Sequence, residues 1–347
     1  MAIPPYPFNC LKEEKHEDPT LKRRSSSASL FFPIEEGDNP HKELILSLPK
    51  ETRWQPYVLR LYEGFWWWEG IIPGIIGIQQ RFKARPNDVF IISFPKSGTT
   101  WLKALTFSTM NRHKYSFTNH PLLRLSPHDC IRFLELIYCQ GEESYAESLT
   151  SPRLLCCHTP YSCLPDSMTT SECRIVYICR DPKDVLVSAW YMDKNYIPDA
   201  PLSFNQAFEV FCDGRSGAGP IWDHVLQYWN ESLRRPDKIL FLNYEEMISE
   251  PHQNLRKLAE FIRCPFSEEE EKTGVIEQII ELCSFNKLKE LDVNKKGEGF
   301  SNIENELFFR KGVVGDWKNN MTLEMAERLD EITREKLHGS GLTFSSR

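Results

Sequence analysis

Residues 94–101 read "FPKSGTTW" and sit between two segments of opposite character. Before them, "DVFIISFP" (88–95) is a short apolar run of the length of a buried strand. After them, Thr99 to Arg112 carries apolar residues at roughly helical spacing, from Leu102 through Leu105 to Met110. A strand, a loop with lysine, glycine and hydroxyls, and then a helix make an anion site. The first amides of the helix have no intrahelical partner, and its dipole adds positive potential. Gly98 lets backbone approach a ligand, Ser97, Thr99 and Thr100 offer hydroxyls, and Lys96 brings a mobile point charge. The common nucleotide loop G-x-x-x-x-G-K-[ST] places a glycine ahead of its lysine. Here Pro95 precedes Lys96 and Gly98 follows it, so this phosphate loop is of another design.

The rest of the chain repeats the alternation. "RLLCCH" (153–158), "RIVYICR" (174–180) and "KILFLNYEEM" (238–247) read as strands. Asp181 and Pro182 form a cap and first position for the helix that starts "DPKDVLVSAW". "PHQNLRKLAEFI" (251–262) reads as an amphipathic helix. Such alternation predicts an α/β fold: a single domain over 42–347 with a central, mainly parallel sheet flanked by helices. Residues 1–41 are rich in Pro, Ser, Lys and Glu and are expected to form a disordered tail, in which "LKRRSSSASL" is either solvated chain or a phosphorylation site.

Composition excludes some classes. The 347 residues are 41% hydrophobic and 26% charged, ordinary globular values. A net charge of −7 argues against a nucleic-acid binder. The start lacks the basic and apolar regions of a signal peptide, and "GFWWWEGIIPGIIGI" is broken by Glu69 and Pro73, so no membrane span is expected. The 11 cysteines, odd in number and without C-x-x-C, read as buried reduced thiols of a cytoplasmic chain, with no metal site.

"FPKSGTTW" resembles the 5′-phosphosulfate loop of the cytosolic sulfotransferases, and the resemblance is not confined to it. "YICRDPKDVLVSAW" (177–190) is similar to that family's 3′-phosphate motif, and "FFRKGVVGDWKNNMT" (308–322) to its C-terminal motif. "LPKETRW", "HTPYSCLP", "GPIWDHVLQYW" and "ELCSFNKLKEL" resemble the plant branch. The resemblance covers about 47–344 and implies a P-loop-like phosphosulfate loop that holds 3′-phosphoadenosine 5′-phosphosulfate (PAPS), with no metal. Lys96, Ser97, Gly98, Thr99, Thr100 and Trp101 would hold the 5′ side and the adenine. Arg180, Ser188, Arg310, Lys311 and Gly312 would hold the 3′-phosphate, since the planar arginine fork suits phosphate and a glycine exposes amides. Tyr244 and Phe285 would complete the adenine slot.

His158 ends an apolar strand in an H-x-P context and would be the general base, with Lys96 and Ser188 as further catalytic residues, Ser188 restraining the lysine until acceptor binds. Animal members place a lysine shortly before this histidine, where Cys156 and Cys157 stand here. The acceptor would be a small flavonoid, steroid, salicylate or jasmonate-like molecule. Its walls would come from "GFWWW" (64–68), Phe94, Tyr161 and the segment after Tyr191. Residues 318–327 resemble the family's dimer motif, which implies a monomer or weak homodimer. Polar residues from about 292 to 312 are expected to close over the nucleotide. Two rival readings remain at this stage: a P-loop kinase or NTPase, which would need a Walker-B aspartate, and a nucleotide-binding module without catalysis.

Overall fold

A computed structural model describes residues 40–54, 57–196, 202–297, 299 and 303–344. The expected tail lies outside the described residues except for its last two positions, and so does its serine cluster.

Four strands form the central sheet: β4 (Val89–Ser93), β5 (Leu154–Cys157), β6 (Arg174–Cys179) and β7 (Ile239–Asn243). Their order is β5-β4-β6-β7 and all neighbours are parallel. Every residue of β4 is buried, as a strand covered on both faces must be. Its alternation sorts the core into two layers. Val89 and Ile91 pack toward Leu102, Leu105 and Phe107 of the loop helix, Thr99–Asn111. Phe90 and Ile92 pack on the opposite face with Ile75, Phe82 and Tyr177. Three of the four strands and the helices read from sequence are present within one or two residues, including Pro251–Phe261 and the helix Pro182–Tyr196, whose Lys183 amide donates to Asp181 Oδ1 at 2.8 Å. The segment 238–247 is a strand only to Asn243, whose side chain caps a short helix, Tyr244–Ser249.

A second, antiparallel sheet joins β1 (Lys50–Glu51), β2 (Leu59–Tyr62) and β3 (Phe65–Trp68), of which sequence reading singled out only β3, as part of an apolar stretch and an acceptor wall. The missed signal is Glu63-Gly64 between them. Both residues take positive φ, 50° and 84°, as a two-residue hairpin turn requires.

The starts of β4 and β5 are tied by Asp88 and Arg153, whose side chains are 0% and 3% exposed. Arg153 Nε and Nη2 both donate to Asp88, and Nη1 reaches the Ala146 carbonyl. Arg153→Met would leave Asp88 buried beside no countercharge. Breaking a buried pair from one side costs about 3–5 kcal/mol, so urea unfolding should show a loss of that size. A loss under about 1 kcal/mol would mean that Asp88 finds another partner or takes up a proton.

Candidate active site

The chain leaves β4 through Phe94 and Pro95 into a strained loop. Lys96 holds φ +71°, a left-handed backbone rarely adopted by a non-glycine residue and often found at functional sites. Gly98 caps the loop helix with φ +105°, and a Cβ there would lie 2.6 Å from the Tyr244 ring. The three hydroxyls expected of this loop do not behave alike. Thr99 Oγ1 is bonded back to Ser93 Oγ at 2.6 Å, so its hydroxyl is committed to the strand. Ser97 is 1% exposed, does not line the cavity, and its Oγ has no hydrogen bond among the described residues. Thr100 lines the cavity, with His128 Nε2 at 2.9 Å from its Oγ1.

Beyond the loop, Trp101 meets Tyr244 edge to face, ring centroids 5.7 Å apart. Phe285 closes against Gly312, where a Cβ would come within 2.3 Å of its ring. Gly312 also has φ +66°, so backbone and space both demand glycine. These four residues, distant in sequence, line one cavity.

The second cluster of cations gathers where Arg180 leaves β6. Arg180 Nη2 donates to the Val313 carbonyl at 2.8 Å and approaches Asp184 at 3.3 Å, and its guanidinium lies over the Tyr244 ring. Arg310 and Lys311 both pair with Asp316, at 2.5 and 2.6 Å. The Asp316 carboxyl is lowered to about 2: burial works to raise it, and hydrogen bonds from Lys311, Asn319 and Arg310 overcome that. Asp184 accepts from the Gly315 and Trp317 amides, which docks this late loop on the helix 182–196. Arg180 and Arg310 therefore already have partners, where sequence reading left the late-loop cations waiting for a phosphate. Each nonetheless keeps a buried Nε with no hydrogen bond among the described residues. Unused buried donors beside two close-approach glycines fit a bound phosphorylated nucleotide.

His158 stands just past β5, its peptide fixed on two sides. Its amide donates to Glu135 Oε1 and its carbonyl accepts from His224 Nε2 at 2.9 Å. The ring Nδ1 lies 2.7 Å from the Ser93 carbonyl. A carbonyl only accepts, so Nδ1 carries the proton and Nε2 keeps its lone pair. Burial pushes the imidazole down to about 3, and the charges of Lys103, His224 and Lys96 add to this. Cys156 and Cys157 are buried thiols, raised by burial.

Lys96 and His158 face one cavity of about 400 Å³. Lys96 Nζ donates to Met192 Sδ at 2.8 Å. The expected restraint by Ser188 is not what holds it: Met192 lies one turn further along the same helix face and presents its sulfur first. Burial lowers Lys96 to about 8, opposed by Asp193 and reinforced by Arg180 and Arg310. Asp193, also on this wall, is raised to about 7 by burial and lowered by Lys96.

Trp67, Trp68 and Phe94 line the cavity as expected. Tyr161 does not. Its ring packs on Tyr228 and its hydroxyl accepts from Arg235, which turns it away. Phe65 is likewise spent in the core. Trp54, Tyr57, Phe133, Phe211 and Phe308 were missed as lining residues because no local pattern marks them. Phe308 lies against His128 (centroids 4.1 Å) and 5.6 Å from Lys96 Nζ, which places this part of the 292–312 segment over the site.

Comparison with known proteins decides the class. The sulfotransferase domain family matches residues 86–341. The chain belongs to the sulfotransferase family. Its relatives include cytosolic sulfotransferase 15 of Arabidopsis thaliana, 41% identical over 99% of this chain and 96% of that one. Another is flavonol 4′-sulfotransferase of Flaveria chlorifolia, 46% identical over 87% and 96%. A sulphotransferase structure from Arabidopsis thaliana superposes with a TM-score of 0.72 at 38% identity, covering 90% of this chain and 100% of that one. A mouse sulfotransferase complexed with 3′-phosphoadenosine 5′-phosphate (PAP) gives 0.63 at 27%, covering 81% and 95%. The protein is thus a sulfotransferase enzyme with relatives in the plant cytosolic branch, and the kinase reading falls away.

The pKa directions fix a pH profile for this sulfotransferase. His158, depressed to about 3, keeps the Nε2 lone pair down to low pH, whereas Lys96 loses its charge as pH rises through about 8. The expected kcat/KM for the donor declines above about pH 8, and the Asp193→Asn variant, without the carboxyl raised to about 7 on the same wall, shows no acid limb near the ordinary histidine value of about 6.5. An acid limb near 6.5 in that variant would contradict the depressed imidazole.

Proposed function

We propose that this sulfotransferase moves a sulfuryl group from PAPS to a hydroxyl of a small, apolar or aromatic plant metabolite of the flavonoid, steroid, salicylate or jasmonate-like kind. The observation that carries the reading is the shared cavity: an unprotonated His158 Nε2 and the Lys96 ammonium face it together, between a phosphate loop and aromatic walls.

The 5′-phosphosulfate rests on the helix N-terminus with Lys96, Gly98 and Thr100, while Ser97 and Thr99 contribute through backbone amides. The adenine lies among Trp101, Tyr244 and Phe285. The 3′-phosphate takes Arg180, Ser188, Arg310, Lys311 and the Gly312 amide, the unused Nε donors of Arg180 and Arg310 among them. The acceptor oxygen attacks sulfur in line. His158 Nε2 removes the hydroxyl proton as the new S–O bond forms, and Lys96 stabilises the negative charge that develops on the departing phosphate oxygen. Asp193 gives the acceptor wall one carboxyl group able to orient a donor on the ring system. The enzyme works in the cytoplasm, as its relatives' names suggest, and among the described residues no helix is long and apolar enough to cross a membrane. Self-association, where it occurs, uses 318–327, in which Leu323 is 79% exposed.

Two measurements test the roles. His158→Ala should leave calorimetric affinity for PAP nearly intact and lower turnover by about 10²- to 10⁴-fold, the usual loss on removing a general base. Near-normal turnover would remove His158 from the chemistry. The protein should also bind PAP at least about a hundredfold more tightly than adenosine 5′-phosphate, since two charge-assisted hydrogen bonds are lost with the 3′-phosphate. Equal affinities would mean that Arg180 and Arg310 serve another purpose.

A further inference from the structure

Lys103 is 0% exposed, in the interior of the loop helix, and the reaction outlined above does not use it. An ammonium buried this deeply is costly unless its protons are satisfied. Its Nζ lies 3.1 Å from His128 Nδ1 and 3.4 Å from the centroid of the Phe133 ring. Glu135 and Asp129 supply the favourable field around it, and the Cys156 side chain a hydrogen-bond partner.

The contacts have a direction. An ammonium only donates, so His128 Nδ1 accepts. His128 is buried among Lys103, Lys96 and His158, and burial first, then their charges, hold it well below the ordinary value. It is therefore neutral, and its single proton must sit on Nε2. That nitrogen is 2.9 Å from Thr100 Oγ1, so Nε2–H donates to the hydroxyl. Thr100 then has an acceptor site filled, and its own O–H is left to point into the cavity that it lines. Of the three loop hydroxyls it is the one supported in this way.

We propose that Lys103, His128 and Thr100 form a relay that makes Thr100 an obligate hydrogen-bond donor to the 5′-phosphosulfate. Lys103 and His128 are positioning residues: neither touches the donor, and both act through Thr100. The relay rests on the reading of the 96–101 loop as the 5′ site. It also places a second buried cation behind that site, delivered by the loop helix beside Cys156.

The test compares PAP with adenosine 3′-phosphate, which lacks the 5′ group, by calorimetry on the full chain. Lys103→Met and Thr100→Val should each reduce the preference for PAP by about tenfold, the scale of one hydrogen bond, and leave affinity for adenosine 3′-phosphate unchanged. Thr100→Ser should retain the preference. The double variant should lose no more than either single one, as partners in one relay do. An equal loss for both nucleotides would mark Lys103 as merely structural and overturn the relay. So would additive losses. Because Lys103→Met removes a buried charge and could fail to fold, the wild-type protein offers an independent readout. Its His128 ring nitrogens should show the Nε2–H tautomer by NMR, and an Nδ1–H tautomer would overturn the relay outright. Wild-type protein that binds the two nucleotides equally would overturn the 5′-site reading and the relay with it. A wild-type preference that Lys103→Met and Thr100→Val leave untouched would overturn the relay alone.

Discussion

β4 pairs in parallel with β5 on one side and β6 on the other, so three segments leave the sheet at the same edge. The first strand of the sheet thus lies between two later ones, and the connections depart to opposite sides of it. That reversal opens a crevice at the carboxyl ends of the strands. Everything chemical here gathers in it: the 94–101 loop after β4, His158 after β5, Arg180 after β6 and Tyr244 after β7. The reason is burial. A sheet covered on both faces has little room for polar side chains along its strands, so polar chemistry is displaced to their ends.

The cations of the site fall into two kinds. Arg180, Arg310 and Lys311 come with their own carboxylates, Asp184 and Asp316, and Arg180 and Arg310 each still keep a buried Nε without a hydrogen bond among the described residues. Lys96 has only a thioether as its hydrogen-bond acceptor and no ion pair among the described residues. Burial therefore penalises its charge, which an arriving anion would restore. The first group is suited to hold a nucleotide and Lys96 to respond to one. His158 belongs to the same logic from the other side, because burial first, and then the surrounding positive charges, lower its basicity and keep Nε2 free of a proton.

Much of this was legible in the chain. The four strands of the parallel sheet, the loop helix and the helix after Asp181 follow from apolar runs, a capping residue and a proline, all local signals. The antiparallel hairpin was missed because Arg60 interrupts β2 and β3 runs on into the apolar segment after it, so neither is a bounded apolar run, although Glu63-Gly64 marked their turn. Most of the candidate site residues line one cavity, with particular exceptions. Tyr161 turns to Tyr228 and Arg235, the Thr99 hydroxyl is used by Ser93, and Met192 rather than Ser188 holds Lys96. Asp184, Glu135 and His128 escaped notice because each matters through a partner distant in the chain, and Asp316 because no periodic pattern marks its pairing with Arg310 and Lys311 across a loop.

Sequence by itself determined that a lysine, a glycine and hydroxyls follow a buried strand and open a helix, that a histidine and an arginine end two further strands, and that the sheet is parallel. These are properties of contiguous residues, set by periodicity and backbone preference. Tertiary structure alone decided which hydroxyl faces the cavity, which nitrogen of His158 is free, what neutralises each cation, and that Lys103 stands behind Thr100. Hydrogen-bond direction, desolvation and countercharge depend on groups brought together from distant positions, and they take values only once the layers have packed.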